Sequence, residues 1–508
     1  MSDPILELER IHGSDGDWRG IFTLGLKSRP QFLTVRSQQE RAIALAAAID
    51  ACRPAQDRRT RRVLVIGGGF AGLTLASWFA EHSPLARKTG RKWEVAVFEK
   101  QNQLVPVQRG CAIRRLHPAI HTWPDSRCFD APADAPSLTA WRSDAAGQVA
   151  AEFVGRLLEN HRFAASLKST VRFAIVQSAS ISVEKAEGQG RAVYRVTGTG
   201  DMVSPSSGAL NPCASTWDAD VLVFATGYGA EGSNLDEGAR GRDIVSYWRN
   251  DDLGQAPLYG QMQRYILSGA GDGAITDLFR LCVYDFSYDL LVNELLPVKE
   301  ARMAERFELA YRQLHPYSRA RTPAGDKDDV KDLTSQYSKL IRDIKALGGD
   351  SLFSTLEKSW QAGVLTKNRV TGQSLGFLAA AFLKPGLKRH LEVRMQMLPE
   401  FARDTSPIQA LVDNPRAMLY NRVLAYLLWK LGAFQVVLAT TPGEVAAREG
   451  WSEDSYTVIV RHGADWRPAV RACLAGELRN EVDLDRTWEP PAAQAAAVGL
   501  YRLGWMPA

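Results

Sequence analysis

Three glycines spaced G-x-G-x-x-G, in Gly67-Gly68-Gly69-Phe70-Ala71-Gly72, are the residues of this chain best suited to holding a ligand. The first glycine of such a pattern permits a tight turn, the second lets backbone approach a pyrophosphate, and the third allows a helix to pack closely on a strand. The pattern has that meaning only between a strand and a helix. Val63-Leu64-Val65-Ile66 precedes it, a β-branched run bounded by charge on one side and glycine on the other, as in a buried parallel strand. From Phe70 to Phe79 apolar residues fill nearly every face, as in a helix packed against a sheet. The first amides of that helix, those of Phe70 and Ala71 among them, would face phosphates with unpaired N–H groups and a partial positive charge. Trp93 to Phe98 returns as a second strand and completes a βαβ unit. Glu99 stands at its end with Lys100 beside it, where a carboxylate can accept hydrogen bonds from ribose hydroxyls. Glu99 follows Gly72 by 27 residues, somewhat more than the usual ~20, and the polar connection Ser83 to Lys92 absorbs the excess. A glycine-rich turn that binds nothing has no need of the terminal carboxylate. The combination points to a dinucleotide.

These motifs must be positioned by an α/β fold, and the chain is long enough for several domains. At 508 residues, about three are expected. Residues 1–60 read as an N-terminal appendage with one helix, Gln38 to Cys52. Residues 61–296 read as a doubly wound, Rossmann-like domain: a helix at Gln148 to Asn160, short strands at Val171 to Val176, Ile181 to Val183 and Ala192 to Thr197, a Gly/Ser/Pro-rich loop from Gly198 to Thr216, and strands at Trp217 to Phe224 and Arg264 to Ser268. Residues 297–435 carry helical periodicity almost throughout, at Lys299 to Leu314, Asp329 to Leu347, Leu352 to Gln361, Gln373 to Phe401 and Arg416 to Leu431, and form a second, mainly α-helical domain. A mixed segment, 436–508, closes the chain, with strands at Phe434 to Ala439 and Tyr456 to Arg461. No internal repeat is evident.

Three segments in order, VLVIGGGFAGLTLA, the VFEK strand end and DADVLVFATGY, resemble the FAD/NAD(P)-binding flavoprotein superfamily that includes flavin monooxygenases and pyridine nucleotide-disulfide reductases. The resemblance covers residues 62 to about 282. It implies FAD, with its diphosphate on Gly67, Gly69 and Gly72, its adenosine ribose on Glu99, and its domain closed by Thr226 and Gly227. A second glycine cluster, Gly269-Ala270-Gly271-Asp272-Gly273-Ala274, begins 42 residues after Gly227 and has two readings. It is either a second fingerprint, G-x-G-x-x-A, opening a nicotinamide domain, or the superfamily's closing Gly-Asp, with Gly271 and Asp272 holding the flavin ribityl chain after the last strand of the flavin domain. The second is preferred, because Val283 to Leu296 offers no strand ending in a carboxylate or arginine to receive a nicotinamide ribose. A nicotinamide domain is then absent, and NAD(P)H enters only as an external electron donor, directly or through a reductase partner.

Gln108 to Pro124 follows the second strand, where chain leaving the carboxyl edge of the sheet meets ligand. Arg109 or Arg114 can stabilise a reduced flavin anion or bind phosphate, and His117 or His121 can exchange protons near neutral pH; the bland alternative is a proline-pinned surface loop with Trp123 in the core. His117 and Arg114 are the catalytic candidates. Arg461, His462 and Gly463, at the end of YTVIVRHG, either return to the active site or form a surface turn. Trp360, Phe377, Phe382 and Trp429 suit a substrate lid or plain core, and Arg58 to Arg62 suits a solvated charge run.

Composition excludes other classes. The chain is 45% hydrophobic and 23% charged, an ordinary globular balance, and 62 basic against 57 acidic residues leave +5, too dilute for a nucleic-acid-binding footprint. Six scattered cysteines contain no C-x-x-C, so neither zinc nor dithiol chemistry is expected. There is no secretory n-region and h-region and no apolar run of the ~20 residues that span a bilayer, so a cytoplasmic protein without membrane contact is expected. The resulting expectation is an FAD-dependent oxidoreductase, most specifically a monooxygenase, acting on a small organic molecule. Two other readings stay open: a nucleotide-sensing or scaffold protein whose helical domain binds a macromolecule around a structural cofactor, and an enzyme with NAD(P) at Gly67.

Overall fold

The computed structural model describes residues 10–13, 19–24, 34–54, 57, 59–82, 93–118, 141–166, 171–188, 191–204, 209–227, 247–251, 253, 262–283, 286, 391–402, 406–412, 414, 417–430, 432–462 and 466–484. In chain order the elements are β1 (Arg10–Gly13), β2 (Gly20–Thr23), α1 (Val35–Cys52), β3 (Arg61–Ile66), α2 (Phe70–His82), β4 (Trp93–Phe98), the two-residue β5 (Arg115–Leu116) and β6 (Asp144–Ala145), α3 (Ala146–Ser166), β7 (Val171–Gly188), β8 (Arg191–Val203), β9 (Leu210–Ala219) and β10 (Val221–Phe224). There follow β11 (Gln263–Ser268), α4 (Asp272–Cys282), β12 (Leu391–Met397), α5 (Pro407–Val412), α6 (Leu419–Lys430), β13 (Gln435–Leu438), α7 (Pro442–Glu449), β14 (Thr457–Val460), α8 (Arg467–Cys473) and α9 (Leu478–Glu481).

Eight strands form the larger sheet in the order β1-β2-β10-β3-β4-β7-β8-β9. Its five central strands, β2, β10, β3, β4 and β7, run parallel, and the antiparallel β1 and the β8–β9 meander flank them. The central strands are apolar on both faces, and the pleat sends alternate residues to opposite sides. Val63, Val65, Val95, Val97, Val221 and Val223 meet α1, α2 and α3 on one face. Leu64, Ile66, Ala96, Phe98, Leu222 and Phe224 meet Trp466, Val470, Leu474, Leu478, Val482 and Leu484, brought back by the C-terminal helices, on the other. The fold is therefore mixed α/β.

The smaller sheet is fully parallel, β13-β12-β11-β14. Here the fold departs from the sequence reading most clearly. β11, expected as the last strand of the flavin domain, pairs with β12 and β14 and stands in a sheet of its own. A short buried parallel strand has the same apolar sequence whichever sheet it joins, so its membership is decided by partners far along the chain. β12 falls where the helix Gln373 to Phe401 was expected. Leu, Glu, Arg, Met and Gln are all good helix formers, and tertiary pairing overrides that propensity.

Smaller departures have local causes. The N-terminal segment is no appendage, since β2 pairs with β10 and α1 packs against α2, with Gln39 Nε2 donating to Thr74 Oγ1 at 3.1 Å and Trp93 Nε1 to Asp50 at 2.9 Å. The expected loop Gly198 to Thr216 is mostly the β8–β9 ladder. Its glycines are there for clearance: a Cβ on Gly200 would stand 2.6 Å from the Gln177 carbonyl oxygen of the neighbouring strand, and one on Gly198 2.9 Å from that of Ser180. The other helices expected between 297 and 390, with Trp360, Phe377 and Phe382, lie outside the described residues, as do Arg58, His121, Trp123 and Gly463. Among the described residues no helix is long and apolar enough to cross a membrane, and no disulfide joins any two of Cys52, Cys111, Cys213, Cys282 and Cys473.

A buried ionic network joins the two sheets. Asp277 on α4 receives Arg461 Nε from the end of β14 at 2.8 Å, Arg280 from its own helix at 3.4 Å, and Arg114 from the loop after β4. Arg114 also donates to Asp251 at 3.3 Å and to the Tyr247 carbonyl at 2.7 Å, and its guanidinium lies 4.1 Å from the Tyr247 ring centre. Arg280 closes the network on Asp251 at 2.6 Å. Burial works against the charge on Arg114, yet Asp277, Tyr247 and Asp251 hold its pKa above the ordinary arginine value. Removing one partner of a buried pair leaves uncompensated charge. Asp277→Ala is therefore expected to cost about 3–5 kcal/mol in urea unfolding; an unchanged midpoint would show that the three arginines do not depend on it.

Candidate functional sites

In the larger sheet the chain runs from β3 outward to β4 and β7, then returns to β10 on the other side of β3. Direction reverses between β3 and β10, and at such a point open α/β sheets bind ligands in a crevice beyond the carboxyl ends of the strands. Gly67 enters that crevice at φ 116°, a left-handed conformation that favours glycine, and a Cβ there would overlap the Ala225 carbonyl oxygen. A Cβ on Gly72 would overlap the Gly67 carbonyl. Gly69 differs, because a Cβ there meets nothing within 4 Å. Two glycines thus serve the packing of strand, turn and helix, and the third leaves its backbone open on the crevice side.

Glu99 is brought against this turn from β4. Its Oε2 accepts Gly68 N–H at 2.7 Å and its Oε1 accepts Gln101 N–H at 2.8 Å. Burial pushes its pKa up, against the backbone donors of Gln101, Gly68 and Lys100, which lower it. A carboxylate has about four lone-pair sites, so these three donors leave room for one more. Val105 covers the turn, donating N–H to the Gly68 carbonyl at 2.8 Å from a φ of 51°. That conformation is strained for a buried β-branched residue.

The smaller sheet repeats this architecture. β11 leads outward to β12 and β13, and β14 returns on its other side, so the reversal falls between β11 and β14. Gly269 follows β11 at φ 128°, and a Cβ on it would overlap the Arg461 carbonyl oxygen. Arg461 N–H donates to Ser268 O at 2.8 Å, as Ala225 N–H donates to Ile66 O at 2.7 Å in the larger sheet. A Cβ on Gly271, like one on Gly69, meets nothing within 4 Å. Asn414 Nδ2 holds the Ala270 carbonyl at 2.6 Å, where Val105 holds that of Gly68. Asp272 begins α4 as Phe70 begins α2. Gly269 to Ala274 is thus the counterpart of Gly67 to Gly72, and the chain contains a structural repeat whose mark in the sequence is the pair of glycine clusters.

The carboxylate of Asp272 is drawn toward α6, with Oδ1 accepting Met418 N–H and Asn421 Nδ2, each at 2.7 Å. Burial pushes its pKa from 3.8 up to about 6, although Met418, Asn421 and the charge of Arg422 pull the other way.

Of the residues singled out from sequence, Gly67 to Gly72, Glu99, Thr226 and Gly227 meet at the β3–β10 crevice, while Gly271 and Asp272 stand at the other one. Phe70 turns its ring into the core against Phe153, 4.9 Å between centres, so only its backbone faces the crevice. Lys100 and Arg109 are exposed, Ala71 and His117 are partly buried, and Gly227 adopts φ 72°. Arg114 is committed to the Asp277 network. Ser268, Gln396, Asp277 and Asn414 were not singled out; β12 carries Glu392 and Arg394 as well as Gln396, so no residue of it stands out as a lone polar side chain.

No protein-family model matches the chain, and no curated protein matches it in sequence. Two solved structures resemble it at a distance. A polycyclic ketone monooxygenase from the thermophilic fungus Thermothelomyces thermophila is 12% identical, with 84% of this chain and 68% of that chain covered and a TM-score of 0.30. FprA of Mycobacterium tuberculosis, in complex with NADPH, is 14% identical, with 43% and 52% covered and a TM-score of 0.20.

The contrast between glycines is testable by stability alone. Gly67→Ala is expected to lose at least about 2 kcal/mol, whereas Gly69→Ala stays within ~0.5 kcal/mol of the parent; equal losses would contradict the crevice geometry. Asp272 supplies a pH test. Its carboxyl binds a proton more tightly folded than unfolded, so its contribution is complete below pH 3.8 and is lost as pH rises through about 6. Across that window the parent should lose on the order of 2 kcal/mol more than Asp272→Asn, and parallel stability curves would rule the shift out.

Proposed function

We propose that the chain is a flavin-linked oxidoreductase with FAD at the β3–β10 crevice and a nicotinamide dinucleotide at the β11–β14 crevice. One observation carries this reading: two parallel sheets that reverse at corresponding points, each with a left-handed glycine packed on the carbonyl of the returning strand and an open glycine two residues on. A single such crevice fits one dinucleotide. A pair fits a carrier and its reductant.

The residues present suit both groups. The backbone of Gly67, Gly69, Phe70, Ala71 and Gly72 would receive the FAD diphosphate, Glu99 would accept from the adenosine ribose with Lys100 at the rim, and Thr226 and Gly227 would border the crevice on the β10 side. When bound, FAD supplies the hydride and oxygen chemistry that amino-acid side chains lack. Gly271 and the first amides of α4 would serve the nicotinamide dinucleotide, with Asp272 turned toward α6. This assignment replaces the ribityl role given to Gly271 and Asp272 from sequence, and it removes the need for a reductase partner. Arg114 acts as a positioning residue between the two sheets, and His117 is the candidate proton carrier. Monooxygenation of a small organic substrate is the subclass we favour, on the resemblance of Phe224-Ala225-Thr226-Gly227-Tyr228 to the corresponding turn of flavin monooxygenases.

The purified protein is expected to be yellow, to release FAD on heating, and to lose its visible absorbance when NADH or NADPH is added without oxygen. Glu99→Gln should weaken FAD binding about tenfold, the loss of one charge-assisted hydrogen bond. A colourless protein that takes up no FAD at micromolar concentration would refute the assignment.

A further inference from the structure

A chain of side chains crosses the carboxyl edge of the smaller sheet at its reversal point. Gln396 on β12 donates Nε2–H to the Ala439 carbonyl at 2.7 Å, which orients its amide so that Oε1 faces β11. Ser268, the last residue of β11, donates its hydroxyl to that Oε1. His462, two residues beyond β14, places Nε2 2.7 Å from Ser268 Oγ. Ser268 and Gln396 are each 1% exposed, and His462 is exposed.

This arrangement decides the tautomer of the histidine. A serine hydroxyl has one hydrogen to give. With that hydrogen committed to Gln396, whose orientation is fixed by Ala439, Ser268 can only accept from His462. Nε2 therefore carries the proton, and in the neutral ring Nδ1 carries the lone pair. An imidazole nitrogen fixed as an acceptor selects for a donor. Phosphate oxygens are acceptors and gain nothing from it, whereas the hydroxyls of the riboses that flank a pyrophosphate are donors. Position supports the same choice, because His462 follows β14 as Thr226 follows β10, directly beside the turn at Gly269.

We propose that His462, locked by Ser268 and Gln396 with Nδ1 as a fixed acceptor, receives a ribose hydroxyl of the nicotinamide dinucleotide at the β11–β14 crevice and so sets the affinity of that site. The proposal rests on the nicotinamide reading above and adds to it a specific residue and a specific atom.

The test uses the full chain loaded with FAD. Nitrogen-15 histidine spectra should show His462 as the Nε2–H tautomer in the parent, with both tautomers populated in Ser268→Ala. NADPH titrations followed by tryptophan fluorescence should show binding weakened about tenfold in His462→Ala and by a smaller factor in Ser268→Ala, with the spectrum of the oxidised flavin before NADPH is added the same as the parent's in both. Unaltered NADPH affinity in His462→Ala, or an Nδ1–H tautomer in the parent, overturns the proposal while leaving the two-crevice reading intact. A parent protein that holds FAD but binds neither NADPH nor NADH overturns the nicotinamide reading itself, and the role of His462 falls with it.

Discussion

The arrangement of both sheets rests on one steric requirement. At the end of β3 and again at the end of β11, the chain must turn within contact distance of the carbonyl of the strand on its other side, Ala225 in one case and Arg461 in the other. A side chain at Gly67 or Gly269 would occupy that carbonyl's space, so the turn, the helix that follows it and the crevice above it exist only because no Cβ is there. The amides exposed by the turn, the opening at Gly69 and Gly271, and the approach of Glu99 and His462 are consequences of that one close approach.

Electrostatics then tie the two halves together. Asp277 accepts from arginines that belong to three different stretches of chain: one after β4, one on its own helix, one at the end of β14. Low-dielectric surroundings make such a network strong when complete and costly when broken. Each nitrogen of the Arg114 guanidinium donates to one of Asp277, Asp251 and the Tyr247 carbonyl, which ties the loop after β4 to α4.

How much of this was legible in the sequence follows from how local each signal is. The Gly67 glycine pattern, its flanking strand and helix, and Glu99 are contained in under forty residues, and the strand, helix and second strand lie where the sequence places them. The second fingerprint was visible as letters, but its meaning depended on whether β11 pairs with strands that lie more than a hundred residues downstream, beginning with β12. Searching Val283 to Leu296 for the next strand failed because that strand is Leu391–Met397. Gly198 and Gly200 looked like loop residues because clearance between paired strands and freedom in a loop call for the same residue. Ser268 and Gln396 left no trace at all, since a hydrogen-bonded chain across three strands has no signature in any one of them.

The larger sheet is assembled from distant parts of the polypeptide. One of its faces, with Leu64, Ile66, Phe98 and Phe224, is covered by residues 466–484, while β11 to β14 lie wholly between. On the ribosome, therefore, the apolar residues of β3 and β4 emerge hundreds of codons before their cover, and the smaller sheet can close first. Nascent chains interrupted in that interval would display an oily, unroofed surface, the kind that chaperones recognise.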